Sequence, residues 1–195
     1  MKAKKIVCLL LVALAAVLVF SGPFGLEMGM TLEEVAAACG GKEPVDLGGG
    51  RYLVQPQKAH PSFQEYVVYV SQTEGLYALT ASTKEILSDE EGTTLQKRFH
   101  TLVSSVSKTY GECRLIDEIA EDSKLTDDIY WIHTLRTGER KLEAWWLGAD
   151  GSALSDDVQN IYLAVKSTSY LKARIALRYR FANFDKAKDT QDSVF

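Results

Sequence analysis

LKARIALRYRF, at residues 171–181, is the stretch of this chain that most directly predicts its fold class. Apolar side chains occupy nearly every second position, from Leu171 to Phe181. The positions between them carry four cations, Lys172, Arg174, Arg178 and Arg180. This alternation predicts a strand with one buried face and one face in water, and such strands are typical of antiparallel sheets.

Six other segments are rich in the β-branched and aromatic residues that strands prefer. They lie at residues 51–55, 63–71, 76–81, 129–136, 141–147 and 160–166. Short connections that contain glycine, at 72–75 and 137–140, predict two hairpins. We therefore expect most of the sheet to form from hairpins.

Two segments predict helices instead. Thr31 and Glu34 have the spacing of a capping box at the start of a short helix that Gly40-Gly41 ends. A second helix begins near Thr93, and its apolar residues fall on one helical face. These residues are Leu95, Phe99, Leu102, Val103, Val106 and Tyr110. The predicted fold class is α+β: an antiparallel sheet with two helices packed on one face.

The first 21 residues have the composition of a secretory signal peptide. Three lysines precede an apolar run at residues 6–20, and the small residues Ser21 and Gly22 follow it. As a helix, this run would span about 22 Å, less than the ~30 Å hydrocarbon core of a bilayer. Residues 1–21 are thus predicted to be a signal peptide cut before Gly22, with an uncleaved N-terminal anchor as the alternative. In both cases the rest of the chain is extracytoplasmic, in the periplasm or secreted.

The exported part is expected to form a single α+β domain at residues 22–184, followed by a disordered polar tail at 185–195. Removal of residues 1–21 takes away three of the 22 basic residues and none of the 26 acidic ones, so the net charge changes from −4 to −7. This acidic balance argues against nucleic acid as a partner, because neutralising phosphates needs an excess of basic residues. Membrane contact is expected only through the N-terminal segment, if that segment stays uncleaved.

Two cysteines remain after cleavage, Cys39 and Cys113. An even number of cysteines in an oxidising compartment favours one disulfide between them. Two buried thiols are the alternative, because cysteine is small, apolar and often interior.

No complete catalytic or metal-binding motif is found in the sequence. His60, His100 and His133 lack the spacing of metal ligands, and no phosphate-cradling loop is present. An S-x-x-K match at residues 105–108 lies in the second half of a helix, without the other elements of serine acyl-enzymes. Acidic residues are plentiful, but a glycosidase needs two of them to face each other, which depends on the fold. No catalytic residue, metal or cofactor is therefore predicted.

Two features predict surfaces that bind a partner. The four cations of the 171–181 strand form a basic stripe that suits anionic lipid headgroups, cell-wall polymers or an acidic partner. The alternative is a wet sheet face whose cations pair with acids of neighbouring strands. In the adjacent aromatic pairs Tyr130-Trp131 and Trp145-Trp146, one residue must point away from the core. Tyr130 or Trp145 is therefore expected in a partner-binding patch, unless a second layer covers that face.

The residues Gly29-Met30-Thr31, Val35 and Gly40 resemble the first-helix signature of small exported proteins of the SmpA/OmlA outer-membrane-assembly type. The β-lactamase-inhibitor-protein-like group is similar. This resemblance implies a helical layer on an antiparallel sheet and action by binding proteins rather than by catalysis. The chain lacks the lipobox of the assembly lipoproteins, and its tryptophan-containing second half resembles uncharacterised secreted bacterial proteins. No functional residue is carried over from either group.

These observations predict an exported, non-enzymatic binding protein of the bacterial cell envelope, with a protein or another envelope component as its partner. Two alternatives stay open. One is an envelope hydrolase that uses paired carboxylates, and the other is a carrier that holds a small apolar ligand between helix and sheet. A convergent pair of buried acids would favour the hydrolase, and an enclosed apolar cavity would favour the carrier.

Cleavage of the predicted signal can be tested by mass. We expect intact-mass spectrometry of protein from the envelope fraction to give the mass of residues 22–195. Alkylation with and without prior reduction would count the free thiols in the same sample. A full-length mass would establish the N-terminal anchor instead.

Overall fold

The computed structural model describes residues 22–154 and 157–192. The predicted signal or anchor at 1–21 and the last three residues of the predicted tail lie outside the described residues. Within the described part, the chain forms a nine-stranded antiparallel sheet and four α-helices, so the predicted α+β class is confirmed. No helix of that part is both long and apolar enough to cross a membrane.

The sheet is built around a long hairpin near its middle. In chain order its strands are β1 (Val45–Asp46), β2 (Arg51–Val54), β3 (Glu65–Ser71), β4 (Gly75–Ser82), β5 (Ile86–Leu87), β6 (Arg114–Ile119), β7 (Arg140–Leu147), β8 (Val158–Ser169) and β9 (Lys172–Phe181). Across the sheet the order is β1-β2-β3-β4-β9-β8-β7-β6, and β5 pairs with β9 beyond the end of β4. The β8–β9 hairpin therefore has β7 on one side and both β4 and β5 on the other.

The predicted alternation is confirmed in β9. Its inner face consists of Ala173, Ile175, Leu177, Tyr179 and Phe181, each at most 5% exposed. The four cations of the basic stripe lie on the opposite face. Leu171 does not continue the pattern, because it lies in the turn between β8 and β9 with a φ of 57°. A tight hairpin turn needs this left-handed backbone, whichever side chain occupies it.

Three helices cover the inner face of the sheet, and a fourth lies on the other face. The helices are α1 (Leu32–Ala38), α2 (Thr93–Tyr110), α3 (Trp131–Thr137) and α4 (Phe184–Asp192). The first three share one apolar core with β9, through Val35, Phe99 and Trp131 among others. The predicted capping box of α1 is confirmed, since Glu34 N–H donates to Thr31 Oγ1 at 3.3 Å and Thr31 N–H donates to Glu34 Oε2 at 2.8 Å. The expected pair of helices is thus a layer of three, with α4 outside it.

The segment 129–136 is helical, so its prediction as a strand is wrong. A 3₁₀ helix at Asp128–Tyr130 leads into α3, and the hairpin predicted after it does not form. The buried residues of α3 include Trp131, Ile132 and Leu135, which have the spacing of a helix face. β7 pairs instead with β6, an edge strand whose largely exposed side chains show no clear alternation.

Residues 184–192 form α4, where the sequence predicts a disordered tail. Ala187 of α4 is fully buried in a small cluster with Tyr77 and Ala78 of β4. A β-bulge makes this cluster possible, because Tyr77 is an extra residue of β4 that joins the same cluster as Ala78. The order of this polar segment therefore depends on a contact with residues far away along the chain.

Cys39 and Cys113 are free thiols, so the expected disulfide does not form and the alternative of two thiols is found. The Cys39 thiol lies by the backbone of Gln55, next to β2, and Cys113 directly precedes β6. Six strand spacings separate β2 from β6 in the sheet. In a flat sheet this is about 28 Å, far beyond the ~7 Å between Cα atoms that a disulfide allows. Burial raises the pKa of both thiols, which keeps them protonated.

Gly92 marks the close approach of α2 to α3. Its φ is 70°, and a Cβ there would overlap the indole of Trp131. We expect Gly92→Ala to lower the free energy of unfolding by about 1–2 kcal/mol for the left-handed backbone and by a further ~1–3 kcal/mol for the overlap. Gly138→Ala is the matched control, because Gly138 has a φ of 82° and no described atom within 4 Å of its Cβ position. Equal losses for both variants in urea denaturation would contradict this contact.

Candidate partner-binding surfaces

The sheet face opposite to α1, α2 and α3, here called the outer face, carries an excess of positive charge. Cross-strand partners share one face of a sheet, so the strand registers place its charged residues. Among the strand residues, the basic ones are Arg51, Arg114, Lys141, Lys166, Lys172, Arg174, Arg178 and Arg180, and the acidic ones are Glu65, Glu118 and Glu143. Two acids outside the strands, Glu85 and Asp150, pair with Lys172 and Arg114. A chain with a net negative charge therefore presents a mainly basic sheet face.

Two cations of the basic stripe are paired with acids. Arg174 Nη1 lies 3.2 Å from Glu65 Oε2, and Lys172 Nζ lies 3.8 Å from Glu85 Oε2. This is the arrangement expected of a wet sheet face whose charges pair across strands. Exposed ion pairs contribute at most about 1 kcal/mol, so an anionic partner can compete for both cations.

The other two cations of the basic stripe contact uncharged side chains. Arg178 Nε donates to Thr80 Oγ1 at 3.1 Å, and its Nη2 donates to the hydroxyl of Tyr69 at 3.3 Å. The guanidinium of Arg180 lies 4.5 Å from the ring centre of Phe184 and so holds α4 against the sheet. All four cations share a face, but their binding of a partner stays a prediction.

Trp145 lies on the outer face and Trp146 in the core, as two-residue alternation requires. The Trp145 ring stacks on Tyr162, with 4.2 Å between ring centres. The Tyr162 hydroxyl donates to Glu143 Oε1 at 2.6 Å, and the Trp145 indole N–H points to Glu143 Oε2 at 3.4 Å. Burial and the bond to Glu143 raise the pKa of Tyr162 far above its ordinary value, so this tyrosine stays protonated.

Tyr130 lines a cavity that does not include Trp145, which lies on the outer face. The segment that carries Tyr130 leaves the sheet as a 3₁₀ helix, which is why a shared aromatic hairpin does not form. Tyr130 is 40% exposed and lines a cavity of about 240 Å³. Ile129 and Tyr170 line the same cavity.

Large apolar side chains gather at this cavity. Ile129 is 52% exposed, Tyr130 40% and Tyr170 62%. Leu87, 67% exposed, pairs with Lys172 across β5 and β9 and therefore lies on the outer face. We call Ile129, Tyr130 and Tyr170 the tip surface, because they line one cavity beside the β8–β9 turn.

Sequence reasoning identified only one member of the tip surface, Tyr130. Ile129 and Tyr170 are brought together only by the fold. The exposure of Tyr170 could have been predicted, because it is an aromatic residue in the short connection between two predicted strands. Such connections run over the protein surface.

Glu90 ties the tip surface to two helices. The hydroxyl of Tyr170 donates to Glu90 Oε1 at 3.0 Å, and Ile132 N–H donates to the Glu90 carbonyl oxygen at 3.0 Å. Beside it, Asp89 Oδ1 accepts the Thr93 N–H at 2.7 Å at the start of α2. These bonds hold the β8–β9 turn, the start of α2 and the start of α3 in a fixed relation.

Other acidic residues serve turns and helix starts. Glu139 accepts hydrogen bonds from the hydroxyls of Ser123 at 2.6 Å and Thr137 at 2.9 Å, and these bonds lower its pKa. The bond from Thr93 N–H likewise lowers the pKa of Asp89. Both carboxylates are thus ionised and engaged locally. Across residues 22–154 and 157–192, no three His, Cys, Asp or Glu side chains gather where they could hold a metal ion.

The bond between Tyr162 and Glu143 is expected to stabilise the sheet in a pH-dependent way. Tyr162→Phe should lower the free energy of unfolding by about 1.5–3 kcal/mol at pH 7, because a hydrogen bond to a charged acceptor is lost. The raised pKa of folded Tyr162 makes this contribution complete below the ordinary tyrosine pKa of about 10 and diminishes it above that value. In urea titrations, the loss of unfolding free energy caused by Tyr162→Phe should therefore be about 0.8 kcal/mol smaller at pH 10.5 than at pH 7.

Tyr170→Phe is the matched control for this experiment. Tyr170 makes the same kind of bond to a glutamate, but its side chain is exposed. Its loss should therefore change stability much less. If the effect of Tyr162→Phe instead grew above pH 10, the role assigned to Glu143 would be wrong.

No protein-family model, curated protein or solved structure matches this chain. The resemblance to SmpA/OmlA-type proteins therefore stays a prediction. The tip surface and the outer face are the features of this chain that point to a function.

Proposed function

We propose that this protein is a non-enzymatic binding protein, exported to the bacterial cell envelope, that contacts a protein partner through the tip surface. The observation that carries this proposal is the gathering of Ile129, Tyr130 and Tyr170 around one cavity, where each is at least 40% exposed. Clustered exposed apolar side chains mark interaction sites on soluble proteins. The composition of residues 1–21 supports export.

The tip surface has the composition of an interface centre. Two tyrosines and one isoleucine are each at least 40% exposed, and tyrosine is enriched among residues that dominate binding energy. A partner that buried them would remove apolar area that contributes roughly 25 cal/mol per Å². Glu90 and His133 line the same cavity and provide the polar rim that fixes a partner's orientation.

The tip surface is also rigid before any partner arrives. Ile129 and Tyr130 belong to a 3₁₀ helix that continues into α3, and Tyr170 is held by Glu90. A surface that is ordered in the free protein loses less conformational entropy on binding. This favours a specific contact over a surface exposed by chance.

The acidic residues support binding over the hydrolase alternative. Asp89 and Glu139 accept bonds from helix starts and turns, and Glu143 accepts the hydroxyl of Tyr162. A glycosidase instead needs two carboxyl groups that face a bound sugar about 5–9 Å apart. The proposed function therefore involves no catalytic step.

Photo-cross-linking in cells tests this proposal. A photoreactive residue in place of Tyr130 or Tyr170 should capture one recurrent envelope protein. The same residue in place of Leu115 should not, because Leu115 is equally apolar and 48% exposed but lies on the edge strand β6. With the partner purified, Ile129→Asp should weaken binding at least about tenfold, whereas Leu115→Asp should not, each with an unchanged Tm.

Three outcomes would contradict the proposal. Equal capture at all three positions, or no recurrent partner at any of them, would remove the tip surface as an interface. Loss of partner binding on Trp145→Ala or Arg178→Glu, with Ile129→Asp unaffected, would place the interface on the outer face instead.

A further inference from the structure

A groove of about 640 Å³ lies on the side of the sheet that α2 covers. Its walls are the loop at residues 55–64, the connection between β4 and β5, and one face of α2. This volume is typical of sites that bind small molecules. The groove shares no lining residue with the tip surface.

The floor of the groove is apolar. Phe63, Tyr66 and Leu102 reach it from the loop, β3 and α2, and each is less than 10% exposed. Ala59 and Pro61 add an apolar wall from the loop. The aliphatic or aromatic part of a ligand would therefore contact side chains already packed in the core.

Two charged residues line the groove, and both are cations: Lys84 and Arg98. Both are exposed, and neither forms an ion pair with any residue in the described part of the chain. No carboxylate is among the lining residues. In an acidic protein, this groove is a local site of uncompensated positive charge.

The acids nearest in sequence to the groove are engaged on the outer face. Glu65 follows the lining residue Gln64 and pairs with Arg174 at 3.2 Å. Glu85 follows Lys84 and pairs with Lys172 at 3.8 Å. Neither carboxylate lines the groove.

The loop that walls the groove is fixed by hydrogen bonds. The Tyr66 hydroxyl accepts the His60 N–H at 2.8 Å and donates to the His60 carbonyl oxygen at 3.2 Å. His60 Nδ1 accepts the Ser62 N–H at 3.2 Å, and Gln64 N–H donates to the Ser82 carbonyl oxygen at 2.9 Å. The groove is therefore formed before a ligand enters it, which lowers the entropic cost of binding.

We propose that this groove binds a small amphipathic anion, whose apolar part lies on Phe63, Tyr66 and Leu102. Its carboxylate or phosphate group lies between Lys84 and Arg98. This inference goes beyond the proposed function, since it adds a ligand site that is separate from the tip surface. The carrier alternative assumed a purely apolar ligand. We expect an anionic ligand instead, because the groove is open and carries two cations.

Calorimetric titration of the purified full chain tests the site with four probes. Octanoate and octyl phosphate supply the two anionic groups on the same apolar tail, octyltrimethylammonium supplies the opposite charge, and inorganic phosphate lacks the tail. We expect at least one of the anionic amphiphiles to bind with one-to-one stoichiometry, and the cation and free phosphate to bind at least about tenfold more weakly. The stronger of the two anions identifies the headgroup as a carboxylate or a phosphate.

Variants then locate the binding. Arg98→Gln and Lys84→Gln should each lower the affinity for the anion several-fold. Thr101→Trp should abolish binding, because the larger side chain fills the groove from the exposed face of α2. Lys97→Gln is the matched control, because Lys97 neighbours Arg98 on α2 but does not line the groove. Absence of saturable anion binding, equal binding of the cation, or equal effects of Lys97→Gln and Arg98→Gln would overturn the proposal. Unchanged Tm values in all variants would exclude unfolding as the cause.

Discussion

The inner face of β9 is packed in the core that α1, α2 and α3 share, through Ile175, Leu177 and Tyr179. This burial determines which side chains of β9 lie on the outer face. Successive side chains of a strand point to opposite faces, so the intervening cations must lie outside. A register slip of one residue would bring those cations into the core, where an unpaired charge costs many kcal/mol. The position of β9 between β4 and β8 therefore admits one register only.

The cations that this constraint sends outward organise residues well beyond β9. Arg174 and Lys172 pair with Glu65 of β3 and Glu85 of the connection between β4 and β5. Arg180 contacts Phe184 of α4. The outward side chains of this single strand thus contact three other segments of the chain.

Sequence patterns were reliable where local periodicity and burial coincide. The inner residues of β9 and the apolar face of α2 were predicted correctly because each element buries one face only. The helix at 131–137 was predicted as a strand because β-branched and aromatic residues are common to both kinds of buried segment. The edge strand β6 has no buried face to create an alternation, and α4 is ordered by contacts with distant residues such as Tyr77 and Arg180.

In the candidate sites, too, local sequence predicted some features, whereas others depend on contacts between distant segments. The outward position of Trp145 followed from its neighbour Trp146, because adjacent strand residues cannot both face the core. Tyr130 was expected to be exposed as a strand residue, but it lies in a 3₁₀ helix, and its cavity neighbour Tyr170 comes from another part of the chain. Neither the tip surface nor the groove could be predicted, since both depend on which segments the fold brings together.

The two ends of the strand order bear on whether copies of this sheet can join edge to edge. An open sheet leaves unpaired backbone donors and acceptors on its outermost strands, and these can recruit strands from other molecules. At one end, β1 has only two residues, too few to template a further strand. At the other end, β6 carries Arg114, Asp117 and Glu118 among its six residues, and charge on an edge strand opposes lateral growth. An incoming copy of the chain therefore meets a short edge on one side and a charged edge on the other, which favours a sheet that ends within one molecule.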